Sequence, residues 1–111
     1  MPFRDDDVSL RHMLEHSREA IALLGSATSR DLESDRVLAL ALVQLAQIVG
    51  EAASRVSEGT RTRHPQIPWT QIVALRNRLI HGYDAIDLEI LWQIVRNDMP
   101  PLAAQLETIV S

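Results

Sequence analysis

Residues 37–53 read VLALALVQLAQIVGEAA, a stretch that decides the fold because it is apolar around almost its whole circumference. The stretch predicts a helix from about residue 35 to residue 56. A helix without a polar face is either central to a helical bundle or also buried against another subunit. In a chain of 111 residues, burial on all sides is difficult within one protomer, so we expect a homodimer.

Apolar residues at helical spacing recur on both sides of this stretch. A first helix begins at the three aspartates of residues 5–7, where the helix dipole favours negative charge, and ends at Gly25. Residues 26–35 are polar and leave room for one short turn. Together with the central helix, these segments account for the first half of the chain.

Prolines and glycines divide the second half. Residues 58–68 read as a loop, and Pro68 suits the first turn of a third helix that ends near Gly82, an expected left-handed C-cap. Asp87 can cap a fourth helix. The pair Pro100-Pro101 must interrupt that helix, because proline lacks the donor for the preceding turn, and a last helix follows.

Composition bounds the fold class and the setting. Apolar residues make up 46% of the chain and aromatic residues 4%, with four glycines and no cysteine. We expect an all-α, up-and-down bundle of four to five helices that forms one domain over residues 1–111. The chain has no disulfide framework, no signal-like apolar region and no run of 18 uncharged apolar residues, which predicts a cytoplasmic protein without a membrane span.

Positive charge is concentrated in one region. The chain as a whole carries −4, but residues 59–83 contain four arginines and no acidic residue, so this region is +4 and the remainder is −8. We expect a focused electropositive surface that attracts a polyanion. The alternative is a set of solvated arginines, since exposed loop arginines often contact only water.

Residues 76–83 read RNRLIHGY and collect groups that can cleave a phosphodiester without a metal ion. Arg76 is a permanent cation that can hold two phosphate oxygens, and His81 can exchange a proton near neutral pH. Asn77 precedes His81 by one helical turn, so it can orient the imidazole or the phosphate. Tyr83 places a phenol at the same helix end.

Structural roles are the alternative for these residues. In that interpretation His81 caps the helix end, and Arg76 pairs with an acid such as Glu51 or Asp84. Glu51 itself is a supporting residue, because a carboxylate on a strongly apolar helix is costly to bury unless it is paired. Arg76 or Arg78 is the partner that we expect for it.

Two further patterns have a plain explanation. The run His12-Met-Leu-Glu15-His16 matches an arrangement seen in zinc peptidases, but no third ligand follows, so we expect exposed helix residues and no metal or cofactor. Trp69 and Trp92 can stack on nucleic-acid bases. In a chain with so few aromatic residues, they are expected to be core or interface anchors instead.

The chain strongly resembles the HEPN-domain ribonuclease toxins of the HepT-like family over nearly its full length. The family signature is an arginine, a polar residue, a short spacer, a histidine, any residue and a tyrosine, which residues 76–83 match. The resemblance is also carried by residues 11–15, Gly50-Glu51-Ala52-Ala53, His64-Pro65-Gln66-Ile67-Pro68-Trp69, Ile86-Asp87-Leu88, Trp92 and Asn97-Asp98-Met99-Pro100.

The resemblance implies a homodimer that cuts RNA without a metal ion, at a composite site where two copies of the motif meet. Arg76 and His81 would be catalytic and Asn77 would support them. Tyr83 would be the tyrosine that a partner antitoxin, a minimal nucleotidyltransferase, adenylylates. The remaining basic residues of the acid-free region would contact the RNA: Arg61, Arg63 and Arg78.

Chemistry supports a dimer independently. Metal-free cleavage moves a proton from the ribose 2′-OH and places one on the leaving 5′-oxygen, and one histidine does not easily do both. The expected product ends are a 2′,3′-cyclic phosphate and a 5′-hydroxyl. The alternative function is a non-catalytic subunit that binds a nucleotide or docks a minimal nucleotidyltransferase.

Overall fold

The computed structural model describes residues 4–82 and 85–110 and confirms the all-α fold. In chain order the elements are α1 (Arg4–Leu24), α2 (Ser29–Ser34), α3 (Arg36–Ser54), α4 (Glu58–Arg63), α5 (Trp69–Val73), α6 (Leu75–Leu79), β1 (Ile80–His81), β2 (Ala85–Ile86), α7 (Leu88–Gln93), a π-helical segment (Ile94–Asp98) and α8 (Met99–Ile109).

The core lies between the long helices. The helix α1 packs against α3 and α8, and α5 and α6 pack against α3. Fully buried side chains from all three long helices meet there, including Leu10, Met13, Leu42, Val49 and Leu106. The core is built from aliphatic side chains at helical spacing, as the composition predicts.

The helix α3 is not buried on all faces within one protomer. Val37 is 79% exposed and Leu40 is 46% exposed, while about half of the helix is covered by the rest of the chain. By length and composition alone α3 is apolar enough to cross a membrane, but the core helices of soluble proteins meet the same criterion. An apolar surface therefore faces outward along α3, and the expected dimer stays a prediction.

Residues 58–81 differ from the expected loop and single helix. The short helix α4 forms inside the predicted loop because the Ser57 side chain accepts a hydrogen bond from the Thr60 N–H at 3.4 Å. The predicted third helix is two helices, α5 and α6, that join at Ala74. The chain can therefore turn twice between the loop and the arginine motif.

The expected helix C-cap at Gly82 is wrong, although its left-handed conformation is right. The helix α6 ends at Leu79, and β1 and β2 then pair antiparallel, with Ile80 opposite Ile86. The Asp87 N–H donates to the Leu79 carbonyl at 2.8 Å. Gly82 has a φ of +75°, so the turn between the strands requires a residue that tolerates this region.

The expected interruption at Pro100-Pro101 is also wrong, since α7 continues through the π-helical segment into α8. In an α-helix the two prolines would leave the carbonyls of Arg96 and Asn97 without donors. The backbone instead widens by one residue, and the Met99 N–H donates to the Ile94 carbonyl. The prolines change the type of helix rather than ending it.

A buried carboxylate fixes the start of α1. Asp6 is 3% exposed and accepts hydrogen bonds from the Ser57 N–H at 2.9 Å, the Ser57 hydroxyl at 2.6 Å and the Thr60 hydroxyl at 2.7 Å. Burial alone would raise the pKa of Asp6, but these hydrogen bonds bring it below its ordinary value. The first turn of α1 is thus tied to the corner between α3 and α4.

Candidate active site

A close helix contact brings the arginine motif to α3. Gly50 lies in α3 where α5 crosses, and a Cβ at this position would lie 2.9 Å from the backbone oxygen of Ile72. Only a glycine allows this approach without a shift. Because α6 follows α5 directly, Arg76 and Asn77 lie beside the C-terminal half of α3.

An open groove of about 890 Å³ runs along this contact between α1, α3 and the α5–α6 pair. Polar side chains dominate the end that contains the motif. The residues of the groove that carry charge or a side-chain amide or imidazole are His12, Gln44, Gln47, Glu51, Arg55, Arg76 and Asn77. The volume of the groove lies within the range of known ligand sites.

Arg76 is the cation of this groove that has no partner. Its side chain is exposed and makes no hydrogen bond or ion pair with any residue that the structure describes. The expected pairing with Glu51 is wrong, because the Glu51 carboxylate lies 3.3 Å from the Arg55 guanidinium one turn along α3. Asp84, the other candidate partner, lies outside the described residues. Among the described residues, no carboxylate therefore pairs with Arg76.

His81 is held by the carboxylate of Asp87, a residue that the sequence predicts only as a helix cap. Its Nε2 lies 3.3 Å from Asp87 Oδ2, while Asp87 Oδ1 accepts the Ile90 N–H at 3.0 Å. The Ile90 N–H, followed by His81, lowers the pKa of Asp87. Asp87 therefore remains ionised at neutral pH, where it can orient the imidazole.

His81 does not line the groove that contains Arg76 and Asn77. It is on β1, beyond the end of α6. It does not cap α6, whose last carbonyl accepts the Asp87 N–H. Sequence spacing along a continuous helix placed Asn77 next to His81, whereas the structure ends the helix between them.

The three other arginines of the acid-free region have partners in the chain. Arg61 donates to the Val56 carbonyl at 3.1 Å and to the Ala53 carbonyl at 2.9 Å, which satisfies the C-terminal end of α3. Arg63 donates to the Thr60 hydroxyl at 3.1 Å. Arg78 lies 3.7 Å from Asp98. These contacts leave Arg76 as the motif arginine best placed for a phosphate.

Comparison with known proteins identifies the family of the chain. A family model described as "Ribonuclease HepT-like" matches residues 13–109. The chain belongs to the HepT-like ribonuclease family. Its relatives include "Putative RNase MJ1380" of Methanocaldococcus jannaschii, 30% identical over 98% of this chain and 100% of the relative. "Probable ribonuclease HepT" of Thermococcus cleftensis is 31% identical over 91% and 96%. No solved structure gave a significant match.

Both tryptophans of this HepT-like chain anchor the fold, as expected. The Trp69 ring is buried and its Nε1–H donates to the His64 carbonyl at 3.0 Å. The Trp92 Nε1–H donates to the Ala27 carbonyl at 2.9 Å. Each ring is fixed by a backbone acceptor, so neither is free to rotate onto a base.

The histidine pair of α1 and the motif tyrosine complete the set of predicted residues. His16 Nδ1 lies 2.7 Å from the His12 carbonyl. Within residues 4–82 and 85–110, no three His, Asp or Glu side chains are grouped closely enough to hold a metal ion. Tyr83, the residue expected to be modified in a HepT-like protein, lies outside the described residues.

Proposed function

We propose that the protein is a metal-independent endoribonuclease in which Arg76 holds the scissile phosphate and His81 transfers the protons. The observation that carries the proposal is the Arg76 guanidinium, which no described residue pairs with, in an open groove and on the same motif as an imidazole held by Asp87. The relatives' names support RNA as the substrate. Arg76 stabilises the charge that develops on the five-coordinate phosphorus.

The proposed reaction has two proton transfers. One His81 imidazole takes the proton of the ribose 2′-OH while that oxygen attacks the adjacent phosphorus. A second imidazole, protonated, donates to the 5′-oxygen as its bond to phosphorus breaks. The products are a 2′,3′-cyclic phosphate and a 5′-hydroxyl. Asp87 keeps each imidazole in position.

A two-fold dimer supplies the second imidazole in this proposal. It is supported by two features of one protomer: His81 does not line the groove that contains Arg76, and an apolar surface around that groove is exposed. The exposed large apolar side chains are Val8 and Leu23 on α1, Val37 and Leu40 on α3, and Val73 on α5. Val8 and Val73 line the groove. Burying these apolar side chains between two subunits would bring each His81 closer to the groove of the partner subunit.

Regulation in this proposal acts through Tyr83. A minimal nucleotidyltransferase antitoxin transfers AMP from ATP to the phenol oxygen and releases pyrophosphate. The added phosphodiester is an anion on the same motif as Arg76, and in this proposal it competes with the RNA phosphate. The protein is then the cytoplasmic toxin of a toxin–antitoxin pair. Its intact mass should rise by one AMP after incubation with ATP and the antitoxin, and Tyr83→Phe should prevent the rise.

A cleavage assay in excess EDTA tests the catalytic proposal. Wild type should cleave RNA, and Arg76→Ala and His81→Ala should each lose at least a hundredfold in rate. Arg30→Ala, which removes an exposed arginine of α2, is the matched control and should cleave normally. Full activity in His81→Ala, or dependence on added metal, would show that the mechanism is wrong.

The sedimentation coefficient tests the dimer. Leu40→Glu places a charge on the outer face of α3 and should give a folded monomer without RNase activity. Ala104→Glu, at an exposed position of α8, should remain dimeric and active. If wild type is a monomer that cleaves RNA, the composite site is excluded.

The alternative function, a non-catalytic docking subunit for the nucleotidyltransferase, is favoured by one observation: Arg76 and His81 do not share a cavity within a protomer. This alternative predicts no growth arrest when the protein is expressed alone. The ribonuclease proposal predicts arrest that Arg76→Ala or His81→Ala relieves.

A further inference from the structure

A second cavity, of about 210 Å³, lies between α5, α6, the π-helical segment and α8. It is distinct from the groove. Leu75 and Arg78 line the cavity whereas Arg76 and Asn77 line the groove, and residues two apart on a helix point in nearly opposite directions. The helix α6 therefore presents one face to each site.

The size of the cavity restricts its occupant. Its volume equals that of about seven water molecules in the liquid, and sites for drug-sized ligands usually exceed about 300 Å³. A single ring system fits, whereas a whole nucleotide or a peptide helix does not. The apolar wall, formed by Ile72, Leu75, Ile94 and Leu102, suits a flat ring.

Side-chain amides surround this wall. Gln66, Gln71 and Gln105 line the cavity, and none of their amides is hydrogen bonded to a residue that the structure describes. An amide offers both a donor and an acceptor. Three such groups beside an apolar wall can match the edge of a heterocyclic base, which carries donors and acceptors in one plane.

The charge of the cavity favours a neutral ligand. Its only charged lining residues are Arg78 and Asp98, which lie 3.7 Å apart and offset each other. A phosphate would meet a cation that is already paired and an adjacent carboxylate. The cavity therefore differs from the groove, where no residue in the described part of the chain pairs with Arg76.

The π-helical segment builds one side of the cavity. It contributes Ile94, Asn97 and Asp98, and single π turns within α-helices occur frequently at functional sites. Pro100 and Pro101, which follow the segment, cause the helix backbone to widen by one residue. The sequence thus maintains an irregular backbone at the position where it forms this wall.

We propose that the cavity is a nucleobase subsite, which holds one base of the RNA near the linkage cleaved in the groove and so sets the sequence preference of cleavage. The inference rests on the proposed ribonuclease function. In this arrangement the two faces of α6 have separate roles: Arg76 binds the phosphate, and Leu75 and Arg78 contact the base.

Nucleoside binding tests the cavity without any cleavage. Adenosine, guanosine, cytidine and uridine are titrated separately into the full chain with labelled methyl groups. At least one nucleoside should shift the resonances of Ile72, Ile94 and Leu102, whereas ribose and inorganic phosphate should not. Gln105→Trp, which fills the cavity, should weaken binding about tenfold or more. If no nucleoside shifts these resonances at millimolar concentration, the subsite does not exist.

A matched variant controls for the added ring. Thr108→Trp places the same side chain at an exposed position one turn further along α8 and should bind nucleosides as wild type does. Gln71→Leu removes an amide at nearly constant volume. It should change which nucleoside binds best, a result that loss of folding would not give. Equal effects of the two tryptophan variants would overturn the proposal.

Cleavage of a random-sequence RNA tests the role in catalysis. Wild type should prefer one base at a fixed distance from the cut, with about tenfold discrimination, and Gln105→Trp should lose the preference while Thr108→Trp keeps it. If Gln105→Trp cleaves RNA with the same base preference as wild type, the cavity does not set that preference. If wild type cleaves no RNA, the proposed function and this role both fail, but nucleoside shifts still establish whether the cavity binds a base.

Discussion

The contact at Gly50 yields a prediction that connects stability with the candidate active site. The substitution Gly50→Ala adds one methyl group on the face of α3 that meets α5. That carbon would lie 2.9 Å from the Ile72 backbone oxygen, whereas ordinary van der Waals contacts begin at 3.4 Å. The oxygen belongs to the backbone at the end of α5 and accepts the Ala74 N–H, so a side-chain rotation cannot relieve the contact.

The expected cost follows from two opposing effects. Overpacking of this kind destabilises by about 1–3 kcal/mol, and replacing a mid-helix glycine with alanine recovers up to about 1 kcal/mol. We expect a net loss of about 1–2 kcal/mol in the free energy of unfolding. For a chain of this size that corresponds to a fall in Tm of roughly 4–8 °C.

Urea denaturation followed by helical circular dichroism measures this change. The matched control is Gly59→Ala in α4, where an added Cβ has no atom within 4 Å and should leave stability unchanged or raise it by a few tenths of a kcal/mol. If Gly50→Ala is as stable as wild type while Gly59→Ala behaves as expected, the close approach of α5 to α3 is wrong.

The same variant should affect activity. The Cβ contact requires α5 to move by about 0.5 Å relative to α3, and α6 carries Arg76 immediately after it. Under conditions where Gly50→Ala is fully folded, the rate of RNA cleavage should fall by about tenfold or more, because small displacements of catalytic groups are costly. If Gly50→Ala is destabilised but cleaves RNA at the wild-type rate, the helix contact does not position the active site.

Three further predictions concern the fold. Asp6→Asn should destabilise by about 1–3 kcal/mol at pH 7, because it loses charged hydrogen bonds from Ser57. Since the folded-state pKa of Asp6 is lowered, its contribution is present above about pH 4 and is lost as the pH falls through the folded pKa. The difference between wild type and variant in urea melts should therefore narrow at pH 3. Gly82→Ala, at a φ of +75°, should lower the free energy of unfolding by about 1 kcal/mol, measured in the same way. Thr28→Ala removes the capping box with Asp31 and should lower Tm by an amount equivalent to about 1 kcal/mol, measured by calorimetry.

Local sequence patterns determined the class of fold and most helix positions. The apolar repeat of residues 37–53 predicted α3 to within about two residues at each end. The aspartate at position 87 caps α7 as its type and place suggest. These features are readable because they depend on residues a few positions apart, whose geometry a helix fixes.

The irregular elements could not be predicted from local sequence patterns. The break at Ala74, the strand pair after Leu79 and the π-helical segment all depend on how the backbone meets elements distant in sequence. The prolines predicted a break, but the helix continues through a π-helical segment in which the Met99 N–H donates to the Ile94 carbonyl. Local sequence rules state which backbone conformations a residue such as proline excludes. Several other conformations remain compatible with those rules.

The composition of the candidate active site was fixed by sequence, but its geometry was decided by tertiary structure. The motif supplies Arg76, Asn77 and His81 in any fold that it adopts. The Glu51–Arg55 pair lies one turn apart on α3, so sequence spacing allows it. Only the folded chain shows that no described residue pairs with Arg76, and only the turn at Gly82 brings Asp87 to His81. Such pairings depend on distances between elements, and these are set by the packing of α5 onto α3 and by chain reversal, which no spacing along a single helix encodes.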